Sequence, residues 1–244
     1  MPEEPQTLLL LVVLQNVVFL VATVGIFWIG VIVARALGKK AGFSLTPLGL
    51  SKPRGGILMG SALGFVVGIA ALIMSVIINL ASTVVLDRFG YPTENTAQEP
   101  LMQSVQGWIQ ESPQIAIPAA IFAIVIFGPA VEELVFRGAI FGGLYRLANR
   151  LSQRRNGEEG SGGLRSAPGI AAFVFAALIS SVVFALLHFS PVILPALFVL
   201  AIVLCELYRR TGSLLPPFVA HATFNSFAVL VIILSGLEVL PSPV

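Results

Sequence analysis

The sequence predicts an all-α, polytopic membrane bundle of about six spans, and three observations predict it. Of 244 residues, 57% are hydrophobic and 11% charged, with a mean hydropathy of +0.96, against about 25% charged residues in a soluble domain. Six apolar stretches, about 8–34, 57–85, 115–145, 170–188, 192–208 and 214–236, approach or exceed the roughly 20 residues a span needs. The loops between them alternate in charge. Loop 35–54 holds Arg35, Lys39, Lys40, Lys52 and Arg54 without an acid, loop 146–169 holds five arginines, and link 209–213 holds Arg209 and Arg210. Loop 86–114 sets Arg88 against Asp87, Glu94, Glu99 and Glu111, and turn 189–191 is uncharged.

Twelve of the 14 Lys and Arg residues thus fall on one side. The positive-inside rule makes that side cytoplasmic and puts both termini outside. The expected location is the membrane of a prokaryotic cell, with the lipid bilayer as surroundings.

Taken in order, the first stretch follows an acidic flank, Met1 to Thr7. It is longer than the 7–15 residues of a signal-peptide core, so it reads as a retained first helix. With the second it forms a two-span N-terminal region, 1–90. Residues 91–114 form an extracytoplasmic loop in which Trp108 reads as an interfacial anchor. Residues 115–236 form the helical core. The third stretch would be about 45 Å long if continuous. It contains Pro118 and Gly128-Pro129, so a kink is expected, and seven or eight spans result if it or the turns split. Segment 156–169 reads as a flexible Gly-rich cytoplasmic linker.

A net charge of +2 with no basic tail points away from nucleic acid. The single cysteine, Cys205, excludes an internal disulfide and a cysteine-rich metal site.

Against this apolar background a few ionisable groups stand out. An Asp, Glu, Arg or His inside a span is costly and marks a functional site by default. The third stretch carries Glu132-Glu133-Leu-Val-Phe-Arg137. Helical neighbours point about 100° apart, so the two acids have different roles. Glu133 and Arg137, at i and i+4, share a face and can neutralise each other. Glu132 is left without a counter-ion on its own helix, either as a general base or as a structural carboxylate bonded to another helix.

The chain has two histidines, both in apolar stretches. His188 shares a helix face with Phe184 and stands just before Phe189-Ser190-Pro191; a histidine in such a place is often a hydrogen-bonded core residue. His221 and Asn225 are again i and i+4. Both can donate to one oxygen, which suits an oxyanion site and equally suits bonding between helices.

The three motifs in this order, EExxFR, FxxxH and HxxxN, resemble the CPBP family, the CAAX-prenyl-protease and bacteriocin-processing group also called Abi. The resemblance covers roughly 115–230, including Phe136-Arg137-Gly138 and Thr211-Gly-Ser-Leu-Leu-Pro-Pro-Phe-Val-Ala-His221. It implies an intramembrane endopeptidase acting on a membrane-bound peptide or protein. Glu132 would activate a water, His188 would orient or deprotonate it, and His221 and Asn225 would stabilise the oxyanion. Glu133 and Arg137 would organise the site. Members that serve as non-proteolytic scaffolds or immunity-type regulators define the competing expectation.

A zinc held by Glu132, His188 and His221 is the alternative for the cofactor. No HExxH occurs, and a ligating Glu132 would leave the base role to Glu133, already paired with Arg137. The reading adopted is therefore metal-free. Asp87 is the sole Asp and stands at a span end, so Ser180 and Ser181 have no triad partner within the membrane, and no Gly-x-Ser-x-Gly elbow is present. A proton-coupled transporter would use similar buried acids, but the spans are few and no inverted repeat is visible.

Overall fold

The computed structural model describes residues 6–93, 98–155 and 167–241. They are all-helical, without a strand among them. The helices are α1 (Gln6–Ala36), α2 (Ile57–Arg88), α3 (Glu99–Glu111), α4 (continuous over 113–155), α5 (Ala167–Leu186), α6 (Leu194–Thr211) and α7 (Leu215–Gly236). Most of linker 156–169 lies outside the described residues.

Five helices, α1, α2, α4, α5 and α7, are long and apolar enough to cross a membrane. Helix α6 carries Glu206, Arg209 and Arg210 at its end. Leu200, Ala201, Leu204 and Cys205 lie in the protein interior. The opposite pattern holds for α1, which buries only Leu9, Asn16 and Val31 of 31 residues. Such a surface suits hydrocarbon and would not suit water.

The third apolar stretch does not split and forms one long helix, as the six-span reading has it. Helix α4 runs α-helical over Pro113–Ala120, Gly128–Glu133 and Gly142–Arg155, and π-helical over Ile121–Phe127 and Leu134–Phe141. Pro129 lacks a backbone donor, and the wider turn before it absorbs the misfit. Carbonyls misaligned by the π turns find side chains. Ser180 Oγ donates to the Phe136 carbonyl at 2.9 Å, so this serine is structural. Asn225 Nδ2 donates to the Ile124 carbonyl at 3.1 Å.

The expected loop 86–114 contains the amphipathic helix α3, which corrects that expectation. Its Val105 and Ile109 are fully buried, and Ile109 packs on Gly236 at the end of α7. Trp108 joins the same apolar cluster. At the other end of the bundle, two of the basic loops bond to each other. Arg54 N donates to Thr211 O at 3.0 Å, Leu214 N donates to Gly49 O at 2.9 Å, and Ser51 Oγ donates to Gly212 O at 2.8 Å. Loops 35–54 and 209–213 therefore share one face, as their charge pattern requires.

The N-terminal helices are packed into the core. Gly60, Gly64 and Gly68 are buried on one face of α2, which lies against α7 and α6. A Cβ on Gly68 would stand 2.6 Å from the Ala220 carbonyl oxygen, so the absent side chain lets two backbones meet. That contact adjoins His221.

Candidate active site

The segment Gly128–Glu133 is held between α1 and α7 and aims its two acids differently, as helical neighbours must. Glu133 points into the protein and is completely buried, whereas Glu132 keeps 23% of its side chain exposed in a cavity. Both reach the buried imidazole of His221, on opposite nitrogens. His221 Nδ1 lies 2.9 Å from Glu133 Oε1, and Nε2 lies 3.6 Å from Glu132 Oε2. A carboxylate accepts and does not donate, so Nδ1 carries the proton in the Glu133 contact.

This adds to the sequence-based pairing. Arg137 Nη1 does lie 3.0 Å from Glu133 Oε1, with both side chains fully buried. The guanidinium is not aligned on that oxygen, however, and its N–H groups have no hydrogen-bond acceptor among the described residues. It stacks instead over Phe184, 4.6 Å from the ring centroid. The directed bond of Glu133 goes to His221, and Arg137 supplies charge. The unit is thus a triad, Arg137, Glu133 and His221. Nor does Glu132 lack a counter-group, since His221 reaches it from α7.

Phe184 holds the centre of this arrangement. Its ring centroid is 4.8 Å from that of His188 and 5.7 Å from that of His221, and Phe136 packs edge-on against it at 5.1 Å. His188 stands just beyond the end of α5, with Nδ1 2.9 Å from the Phe184 carbonyl oxygen. That oxygen accepts, so Nδ1–H donates and Nε2 is left for the cavity. The chain then reverses sharply through Phe189, at φ 50°. This tight turn lets the two histidines, far apart along their spans, face one space.

That space is a cavity of about 380 Å³, and Glu132, His188, His221 and Asn225 all line it. One N–H of Asn225 is used on Ile124, and its amide retains a second. Glu133, Arg137 and Phe184 lie behind this wall. The expected residues are therefore brought together, in two layers. Sequence reasoning missed three amides that also line the cavity, Asn16, Asn79 and Gln98, from outside the core segment. A signal existed, since Asn16 and Asn79 are polar residues inside apolar spans.

Zinc fits poorly. Among the described residues no three His, Cys, Asp or Glu side chains converge as metal ligands. Glu132, His188 and His221 share a cavity without forming a coordination set.

Comparison with known proteins places this site in a matched region. Residues 114–227 match the family described as Type II CAAX prenyl endopeptidase Rce1-like. The chain is 33% identical over 114 residues to the "Membrane-embedded CAAX protease MroQ" of Staphylococcus aureus (strain USA300), covering 47% of this chain and 39% of that protein. It is 32% identical over 115 residues to the "Putative membrane peptidase YdiL" of Bacillus subtilis (strain 168), covering 47% of this chain and 38% of that one. The chain thus spans under two-fifths of the length of the curated relatives it matches. No solved structure matches significantly. Every motif that lines or backs the cavity from α4, α5 and α7 falls within the matched stretch, and segment 114–227 is similar to the Rce1-like CAAX prenyl endopeptidase family.

Proposed function

We propose that the chain is an intramembrane endopeptidase that hydrolyses a peptide bond in a membrane-associated protein or peptide. The observation that carries this reading is the convergence of Glu132, His188, His221 and Asn225, from three helices, on one cavity.

Each group has a task its geometry suits. Glu132 is the partly exposed acid at the cavity wall, and it takes a proton from water as general base. His188, fixed through Nδ1 to the Phe184 carbonyl, presents Nε2 to that water as an acceptor. The resulting hydroxide adds to the substrate carbonyl carbon. Negative charge gathers on the carbonyl oxygen, where His221 Nε2–H and the second N–H of Asn225 receive it. A ring donating from both nitrogens is an imidazolium, and Glu133 behind it balances that charge. The C–N bond then breaks, and Glu132 returns its proton to the leaving amine. Arg137 and Glu133 touch no reactant; they hold His221.

The family description and the mostly apolar wall of the cavity support a peptide attached to or inserted in the bilayer as substrate, of CAAX type, bacteriocin type or another type. The catalytic scheme is metal-free. Proteomics of membranes containing either the wild type or Glu132→Ala tests it. New C-termini confined to the wild type are expected, and identical peptide sets would favour a silent scaffold on the same fold.

A further inference from the structure

Asn16 sits in the middle of α1, outside the segment the family matches, and is 3% exposed. A buried amide in an apolar span is costly unless both its ends are satisfied. One end is. Nδ2 donates to the Val12 carbonyl at 2.9 Å, which fixes the orientation of the amide, because a carbonyl oxygen requires a donor opposite it. The other end, Oδ1, is buried and has no hydrogen-bond partner among the described residues. Asn16 lines the same cavity as Glu132, His188, His221 and Asn225.

Gly128 opens the space between Asn16 and the proposed base. A Cβ there would lie 3.9 Å from Asn16 Nδ2 and 4.0 Å from Glu132 Oε1. On α2, Asn79 repeats the pattern: its Oδ1 is buried without a partner among the described residues, and it lines the cavity too. The cavity therefore has two kinds of polar group. The core segment supplies a base and donors for a carbonyl. The N-terminal helices supply vacant acceptors.

A bound peptide presents main-chain N–H groups beside its scissile carbonyl, and in an apolar cavity each needs an acceptor. Resting on the endopeptidase reading above, we propose that Asn16 is a substrate-binding residue. Its Oδ1 accepts a main-chain N–H of the peptide next to the bond that Glu132 attacks, and Asn79 serves a neighbouring N–H. Helices α1 and α2 thereby hold the substrate's backbone in register, a task the family motifs leave unfilled.

The test uses the full chain in detergent micelles, with a quenched farnesylated CAAX-type peptide and a series methylated at one backbone nitrogen at a time. Each methyl removes one N–H. One methylation near the cleaved bond should lower the wild-type kcat/KM about 10-fold, the scale of one hydrogen bond. Asn16→Leu, nearly isosteric, should lose about 10-fold on the parent peptide, chiefly in KM, and lose nothing further on that methylation. Asn16→Asp, which keeps an acceptor, should recover most of the loss. If Asn16→Leu melts early, Asn16→Ala is read in its place. Wild-type behaviour of the variants, or a methylation penalty that persists in them, would overturn the proposal. If the wild type cuts no peptide of this series, the CAAX-type substrate fails separately, and binding of the same series, followed by anisotropy, decides the role of Asn16. The same loss pattern sustains it, and equal binding by wild type and Asn16→Leu, or no binding by either, ends it.

Discussion

Glu133 Oε1 and His221 Nδ1 lie 2.9 Å apart, fully inside the protein and 88 residues distant in sequence. This bond joins α4 to α7 and fixes the imidazole so that its other nitrogen faces Glu132. It makes the two adjacent acids separable by experiment.

Glu133→Gln removes the negative partner of both Arg137 and His221. Breaking a buried pair costs on the order of 3–5 kcal/mol, so the melting temperature in detergent should fall and turnover should fall with it. Glu132→Gln should keep the melting temperature near that of the wild type and abolish turnover. The reverse pattern, an unfolded Glu132→Gln beside a stable, silent Glu133→Gln, contradicts the assignment.

Asn225→Ala removes one proposed oxyanion donor. Loss of one such donor elsewhere costs about 100- to 1000-fold in kcat, and a comparable fall is expected with little change in peptide binding. His188→Ala should be at least as damaging, because the water loses its acceptor. Steady-state kinetics on a cleaved peptide, with binding measured on the inactive variants, separates the two effects.

The metal-free scheme makes a demand of its own. Active protein should contain no stoichiometric zinc by elemental analysis and should keep its activity in a strong chelator. One zinc per chain that tracks activity, and that disappears in His188→Ala and His221→Ala, would replace the scheme with a three-ligand zinc site.

The contact of α2 with α7 predicts that an N-terminal glycine matters to the site. Gly68→Ala forces a Cβ to within 2.6 Å of the Ala220 carbonyl. Overpacking of this kind typically costs about 1–3 kcal/mol. Lower thermal stability and reduced turnover are expected together, since His221 is the next residue on α7. Gly25, with open space around it, is the control: Gly25→Ala should change neither.

Orientation follows from charge and is checked by labelling single cysteines in a Cys205-free background. Positions in 35–54, 146–169 and 209–213 should react from the cytoplasmic side and positions in 90–112 from the opposite side. Outside labelling of 156–163 would refute six spans.

The sequence by itself determined the class of the protein and singled out the ionisable residues that gather at its core. Apolar length and sparse charge dictate helices in a bilayer, because no other open structure satisfies its backbone there. Isolated Glu, His and Arg residues in such spans announce a site, because each is costly without a partner. Helical spacing also placed Glu133 with Arg137, and His221 with Asn225. Pairing across helices was not legible, since periodicity within one helix carries no information about its neighbour. The His221 ring between two acids, the Phe184 contact with both histidines and the sharing of a cavity by Asn16 and Glu132 arise from how α1, α4, α5 and α7 pack. The same holds for the π-helical turns of α4. A proline in the sequence warns of a disturbed ladder, but only the surrounding helices, which offer Ser180 and Asn225 to the freed carbonyls, decided that the chain would widen its turn rather than break.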